Sequence, residues 1–278
     1  MIIVYSIEDL KKELSLIKES IGFVPTMGYL HNGHISLIEK SVKENKKTVC
    51  SIFVNPTQFG ENEDLEKYPK DIENDINMLK KANCDIVFIP KTSDIYKENK
   101  VFVDILGFSD CLCGKKRPGH FKGVLTIVCK LFNIVRPDRA YFGEKDYQQY
   151  IIIKKMVKDL NFDIDIRIGD IIREFDGLAM SSRNSYLNEE ERKKAVFLYD
   201  LLCYAKKNAY MGQKRIELEN KIEKYIIEKI DCNIITKDYA NIRDGIDLEL
   251  KEFISENSRL FLAFFVGKIR LIDNGRLL

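Results

Sequence analysis

Two of the three histidines in this 278-residue chain stand three residues apart, in VPTMGYLHNGHISLI (24–38). An apolar stretch ends at Pro25, a turn containing glycine follows, and apolar residues then recur at helical spacing. Gly33 and His34 are therefore expected to open a helix. The first turn of a helix carries unpaired N–H groups and the positive end of the dipole, which together suit a phosphate. His31 and His34, at i and i+3, share one side of that turn. Imidazole N–H groups there can donate to phosphate oxygens as charge builds. The spacing suits phosphate better than zinc, because no third ligand lies nearby in the sequence.

Four further segments carry polar groups in turns and loops, two of them at strand ends. In FVNPTQFGENEDLEKYP, Asn55 and Gln58 are amides suited to a hydroxyl or carboxylate, with ordinary Asn-Pro turn chemistry as the alternative for Asn55. The acids that follow read as a solvated face, or as a source of one magnesium contact. KKRPGHFKGV is either an exposed basic turn around His120 or a loop over an anion. FGEKDYQQ ends a strand at Gly143 and starts a helix in which Asp146 suits the first turn. Lys145 has the wrong sign for the positive end of the dipole, which argues for a ligand contact. In DGLAMSSRNSYL, Ser181, Ser182 and Arg183 can hold phosphate oxygens, the arginine by a two-pronged fork.

These segments need a frame. GFVP, KTVCSIFVN, DIVFIP, RAYFG and IDIRIGDII read as strands. NGHISLIEKSVKEN, KDIENDINMLKKAN, HFKGVLTIVCKLFNIV and KDYQQYIIIKKMVKDL read as the helices between them. Such alternation predicts an α/β fold with a parallel, Rossmann-like sheet over 1–174, with ligands at the carboxyl ends of its strands. After about residue 175 the pattern changes. Charged helices are expected at 188–209, opened by a capping box of Asn188 and Glu191, and at 213–230. Strands YANIR, RLFLAFFV and KIRLID follow, so 175–278 is expected to be a smaller α+β domain.

Composition excludes other classes. Lysine and arginine number 45 against 43 acids, so no bulk field draws in nucleic acid or membrane. The seven cysteines are odd in number, and Cys111 and Cys113 have no second pair to complete a metal site. Buried, reduced thiols are expected. No signal peptide or membrane span is evident, so a cytoplasmic protein is expected.

Taken together, VPTMGYLHNGH, SIFVNPTQFGENEDLEKYP, RPGHFKGV, RPDRAYFGEKDYQQ, DGLAMSSRNSYL and RLIDN resemble the pantoate–β-alanine ligase family, within the nucleotidyltransferases that share H-x-G-H. The resemblance spans almost the whole chain. It implies condensation of pantoate with β-alanine, driven by ATP with Mg2+, through pantoyl adenylate. It sets ATP against Met27, Gly28, Tyr29, Leu30, His31, Asn32, Gly33 and His34, against Gly143, Glu144, Lys145 and Asp146, and against Met180, Ser181, Ser182 and Arg183. It also sets the backbone of Ile172 at the adenine. His34 matches the proton donor, while His31 and Lys145 match residues that steady phosphate charge. Gln58 and Gln149 match the pantoate-binding amides. A homodimer is implied, with the smaller domain closing over the site. Asp170 stands where a proline is common and Ile269 where threonine is usual. Neither is a proposed contact. Another H-x-G-H nucleotidyltransferase would share the phosphate loops without both glutamines. A non-catalytic nucleotide- or RNA-binding module would carry a basic aromatic surface.

Overall fold

A computed structural model describes every residue except Asn62 and Asn99. The chain divides into two compact units, Met1–Glu144 with Gln148–Asp170, and Lys145–Tyr147 with Ile171–Leu278.

The first unit contains β1 (Ile2–Val4), β2 (Ile21–Thr26), β3 (Lys47–Ile52), β4 (Ile86–Phe88), β5 (Arg139–Gly143) and β6 (Asp165–Gly169). They form one sheet in the order β1-β4-β3-β2-β5-β6, with every pairing parallel. Between the strands run α1 (Ile7–Ser15), α2 (Asn32–Glu44), α3 (Ile72–Lys81), α4 (Thr92–Ile95), α5 (Leu112–Lys116), α6 (His120–Val135) and α7 (Tyr147–Asp159). Because helices cover both faces, strand residues of either parity are buried. Val24 packs with Leu37, Ile38, Cys50 and Leu79, while neighbouring Phe23 meets Phe132.

The order of the strands reverses between β2 and β5, and that junction has an uneven ladder. β5 pairs with β2 only at Gly22↔Arg139 and Phe23↔Ala140. β2 continues to Thr26 against β3, and β5 continues to Gly143 against β6. The sheet is therefore unzipped between these strands at their carboxyl ends, where ligands enter open α/β sheets.

The second unit is built on an antiparallel sheet of β7 (Ile235–Asp244), β8 (Ser258–Val266) and β9 (Ile269–Arg276). It carries α8 (Glu189–Ala195), α9 (Phe197–Asn208) and α10 (Arg215–Lys229). Leu198, Leu201, Leu202, Leu218, Leu260 and Phe264 form its core. The Asn188–Glu191 capping box is present, with both bonds at 2.9 Å. The single helix expected over 188–209 is instead two, meeting at Val196.

All seven cysteines are free thiols. Cys50, Cys84, Cys111 and Cys113 are buried as expected, and burial pushes the Cys84 thiol up to about 12. Cys203 and Cys232 depart from that expectation, being exposed. Among the described residues no helix is long and apolar enough to cross a membrane.

Candidate active site

β2 runs out at Thr26 into a turn that only part of the backbone map allows. Gly28 has φ +82°, and Tyr29 follows at +50°. This left-handed pair bends the chain so that the N–H groups of Tyr29 and Leu30 point the same way, into one carboxylate. Asp75 of α3, fully buried, accepts from Tyr29 at 2.8 Å and from Leu30 at 2.7 Å. Burial raises its carboxyl above the usual range despite these two donors.

The turn delivers His31 as the N-cap of α2. Nδ1 of His31 accepts from the Gly33 N–H at 3.1 Å, and Nδ1 of His34 accepts from the His31 N–H at 3.3 Å. The two histidines thus form a capping box, a role usually taken by hydroxyl and carboxylate side chains. Their ring centroids are 4.1 Å apart. A backbone N–H can only donate, so Nδ1 is bare in both rings. Each neutral ring then carries its proton on Nε2, as a donor at the outer edge of the cap. The expectation of unpaired backbone N–H groups is corrected here for Gly33. The Gly33 N–H is spent on His31, and imidazole donors stand in its place.

β3 leads into a short 3-10 turn, Pro56–Gln58. Asn55 is buried, and its amide is occupied on both sides. Nδ2 donates to Gln58 Oε1 at 3.0 Å and to the Gly123 carbonyl at 3.2 Å. Oδ1 accepts from Thr57 at 3.0 Å and from the Tyr96 hydroxyl at 2.7 Å. With four partners already in place, Asn55 holds Gln58, and the substrate contact expected of it would fall on an amide already engaged within the protein. Its grip fixes the orientation of the Gln58 amide, whose Nε2 lies 3.2 Å from Met27 Sδ. The candidate substrate amide therefore abuts the loop that ends β2. A cavity of about 310 Å³ lies at the carboxyl ends of β2, β3 and β4, with Met27, Gly28, Tyr29, Asp75 and Lys91 in its wall.

KKRPGHFKGV is exposed at Lys115, Lys116, Pro118 and Gly119, as expected of a basic turn, but its arginine and histidine turn inward. Arg117 turns inward, its Nε 2.7 Å and Nη2 2.5 Å from the Glu63 carboxylate, and His120 Nδ1 lies 2.9 Å from the Gln58 carbonyl. Gly123 follows in the first turn of α6. A Cβ there would sit 2.3 Å from the Thr57 carbonyl oxygen, so α6 approaches this turn as only glycine allows.

The β5 end differs from expectation in one respect. Glu144–Asp146 is a 3-10 turn and α7 starts at Tyr147, so Lys145 precedes the α-helix. Gln148 is buried, and its amide serves Cys113 N, Phe108 O and Cys111 O. The next residue, Gln149, is half-buried, and its side-chain amide makes no hydrogen bond to another described residue.

Within the second unit, two neighbouring residues of β9 hold two candidate segments. Asn274 donates to the Lys145 carbonyl at 2.8 Å, and Arg259 both bonds Asn274 and lies 3.8 Å over the Tyr147 ring. Asp273 takes both prongs of Arg173, at 2.6 and 2.9 Å. Arg173 bridges to Ala179, and Met180 donates to the Ile172 carbonyl at 3.0 Å, so Ile172 and Met180 are brought side by side. Ser181 Oγ caps the following turn by accepting from Arg183 N, and Ser182 is buried.

The sequence model of pantoate–β-alanine ligases matches residues 2–276. The chain belongs to the pantoate–β-alanine ligase family. It is 48% identical to the pantothenate synthetase of Thermosipho africanus over 99% of both chains. It is 50% identical to that of Clostridium acetobutylicum, over 99% of this chain and 98% of that one. Among solved structures, pantothenate synthetase from Thermus thermophilus superposes with a TM-score of 0.94 at 39% identity, covering 100% of this chain and 99% of that one. The Francisella tularensis ligase, in complex with β-γ ATP and β-alanine, gives 0.83 at 40% identity, covering 100% and 98%. The chain is thus an enzyme of pantothenate biosynthesis, joining pantoate to β-alanine with ATP.

Against that family assignment, the sequence reading overlooked Asp75, Glu63, Arg117 and the pair Arg259–Tyr147. Asp75 left one signal. It falls on the apolar stripe of its helix, three residues after Ile72 and four before Leu79, where a carboxylate needs a reason to be.

Proposed function

We propose that the ligation proceeds in two half-reactions. A carboxylate oxygen of pantoate attacks the α-phosphorus of ATP and pyrophosphate leaves. The amine of β-alanine then attacks the acyl carbon of pantoyl adenylate, loses a proton, and AMP leaves. The observation that carries this reading is the 3.2 Å approach of Gln58 Nε2 to Met27 Sδ. An amide suited to pantoate lies beside the loop suited to the nucleotide, where carboxylate and α-phosphate have to meet.

In this reading Gln58 and Gln149 hold pantoate, and Gln149 has its amide uncommitted for the task. His34 and His31 donate from Nε2 to phosphate oxygens, and the capping box fixes both rings beforehand, so no reorganisation is needed as charge develops. Lys145 and Arg183 meet the same charge, with Gly143 to Asp146, Met180 to Ser182 and the Ile172 backbone completing the nucleotide contacts. Magnesium enters with ATP as part of the substrate. Among the described residues no cluster of three His, Cys, Asp or Glu could cage an ion. Mg2+ commonly keeps several waters and takes phosphate ligands. Bound there, it would neutralise the leaving pyrophosphate. We also place the enzyme in the cytoplasm as a homodimer, after the resemblance.

The test is isotope exchange. Labelled pyrophosphate should enter ATP when pantoate and Mg2+ are present and β-alanine is absent. Exchange that ignores pantoate would overturn the adenylate reading.

A further inference from the structure

Glu63, Arg117 and His120 form a chain of contacts that ends on the backbone of Gln58. The Glu63 carboxylate takes two prongs of Arg117, at Nε and Nη2. This pair is mostly shielded, with 16% of the arginine and 25% of the glutamate side chain exposed. Burial by itself would raise the Glu63 carboxyl, but the Arg117 hydrogen bonds and charge hold it below its ordinary value. The third prong, Nη1, lies 3.0 Å from His120 Nε2. His120 Nδ1 lies 2.9 Å from the Gln58 carbonyl, which Arg117 Nη2 also approaches at 3.3 Å.

The chemistry sets the direction of each bond. A carbonyl only accepts, so His120 Nδ1 carries the proton and donates. A guanidinium only donates, so His120 Nε2 is the bare nitrogen and accepts. The imidazole is thereby fixed in one neutral tautomer, opposite to that of His31 and His34. It relays the rigid Glu63–Arg117 fork to one peptide group. One helical turn further along α6, Gly123 abuts the Thr57 carbonyl and the Gln58 nitrogen. The first turn of α6 thus meets the Gln58 backbone at two points while the Gln58 side chain reaches Met27.

We propose that the Glu63–Arg117–His120 cluster is a positioning device for pantoate, setting the Gln58 peptide so that its amide meets the substrate beside the nucleotide loop. This rests on the reading above that Gln58 binds pantoate. None of the three cluster residues needs to touch the substrate.

The test compares Michaelis constants in pyrophosphate exchange for His120→Ala, His120→Asn and Gln58→Ala. Removing one ordinary hydrogen bond should raise the pantoate KM about tenfold in His120→Ala, with the ATP KM unchanged. Asparagine places Nδ2 where histidine has Nδ1, so His120→Asn should return the pantoate KM to within about twofold of the parent. Should His120→Ala not fold, Glu63→Gln carries the same split at about threefold, through the loosened fork. Equal shifts in both KM values, or no rescue by asparagine, would overturn the proposal. Gln58→Ala separates the two ideas. An unchanged pantoate KM there removes Gln58 from the substrate and the inference with it. If Gln58→Ala raises it and His120→Ala multiplies the effect independently in the double variant, His120 acts on pantoate by another route and positioning fails.

Discussion

The His31–His34 turn and the Asn55–Gln58 turn follow adjacent parallel strands, and they are held by different means. The first closes on itself. Its two imidazole caps reach backbone groups two and three residues away, and one distant carboxylate, Asp75, steadies the bend before it. The second has two bonds within its own span, Asn55 to Gln58 and Thr57 to Asn55, but its place is set from outside. Tyr96 reaches Asn55 across 41 residues, His120 reaches Gln58 across 62, and Gly123 reaches Asn55 across 68. The difference fits the task proposed for each turn. Phosphate presents the same oxygens in every nucleotide, and a few local donors at a helix start can meet it. Distinguishing one small acid requires an amide held in one orientation, and a short turn lacks the partners to hold it.

The largest expected effect breaks the local turn. His34→Gln keeps an acceptor for the His31 N–H, as glutamine does in ordinary capping boxes, but removes the ring. One preorganised donor is worth about 2.7–4 kcal/mol, so pyrophosphate exchange should fall by two to three orders of magnitude. The thermal midpoint should stay close to that of the parent. Near-parental exchange would take the His34 ring out of the chemistry.

Gly123→Ala strikes the remote support of the second turn. The added methyl meets backbone atoms at 2.3 and 2.6 Å, which cannot swing aside as a side chain would. A cost of about 1–3 kcal/mol is expected in chemical denaturation, together with a raised pantoate KM and an unchanged ATP KM. If stability drops while the pantoate KM holds, the position of this turn does not govern substrate binding.

Asp75→Asn gives the smallest effect and tests the one long-range contact of the histidine turn. It leaves one acceptor for two backbone donors, a loss of about 1 kcal/mol near neutral pH. Its pH dependence has a definite sign. The folded protein keeps the Asp75 proton at pH values where the unfolded chain has released it, since burial raises this carboxyl. That contribution to stability is complete below the unfolded value of about 3.9 and is lost as pH rises through the folded value. The variant lacks it, so its deficit in melting temperature should shrink as pH climbs through the acid range. A deficit that widens would mean the two N–H donors outweigh burial.

The helix of His34, the five longer-signalled strands and the Asn188–Glu191 cap were legible because period and capping act over a few residues. β1 was not, since it pairs with Ile86 far along the chain and no turn residues mark off Ile2–Val4 locally. The start of α7 was placed too early because a 3-10 turn and a helix share their spacing over Glu144–Asp146. Among the site residues, Gln148 and Gln149 look alike in the sequence. Only the packing of Phe108 and Cys111 around one of them decides which amide is spent.

The sequence by itself determined the alternation that makes a parallel sheet, the residue types that can meet phosphate, and the motif set that marks the family. Those follow from local period, local capping and side-chain chemistry. The tertiary structure decided that β2 and β5 separate at their carboxyl ends, and that Asn55 grips Gln58. It also decided that Arg117 is turned inward to Glu63, and which nitrogen of each histidine carries the proton. A hydrogen-bonding group in a sequence has several possible partners. Only the folded chain, by burying it beside one donor or acceptor, selects the arrangement in which that group is paired.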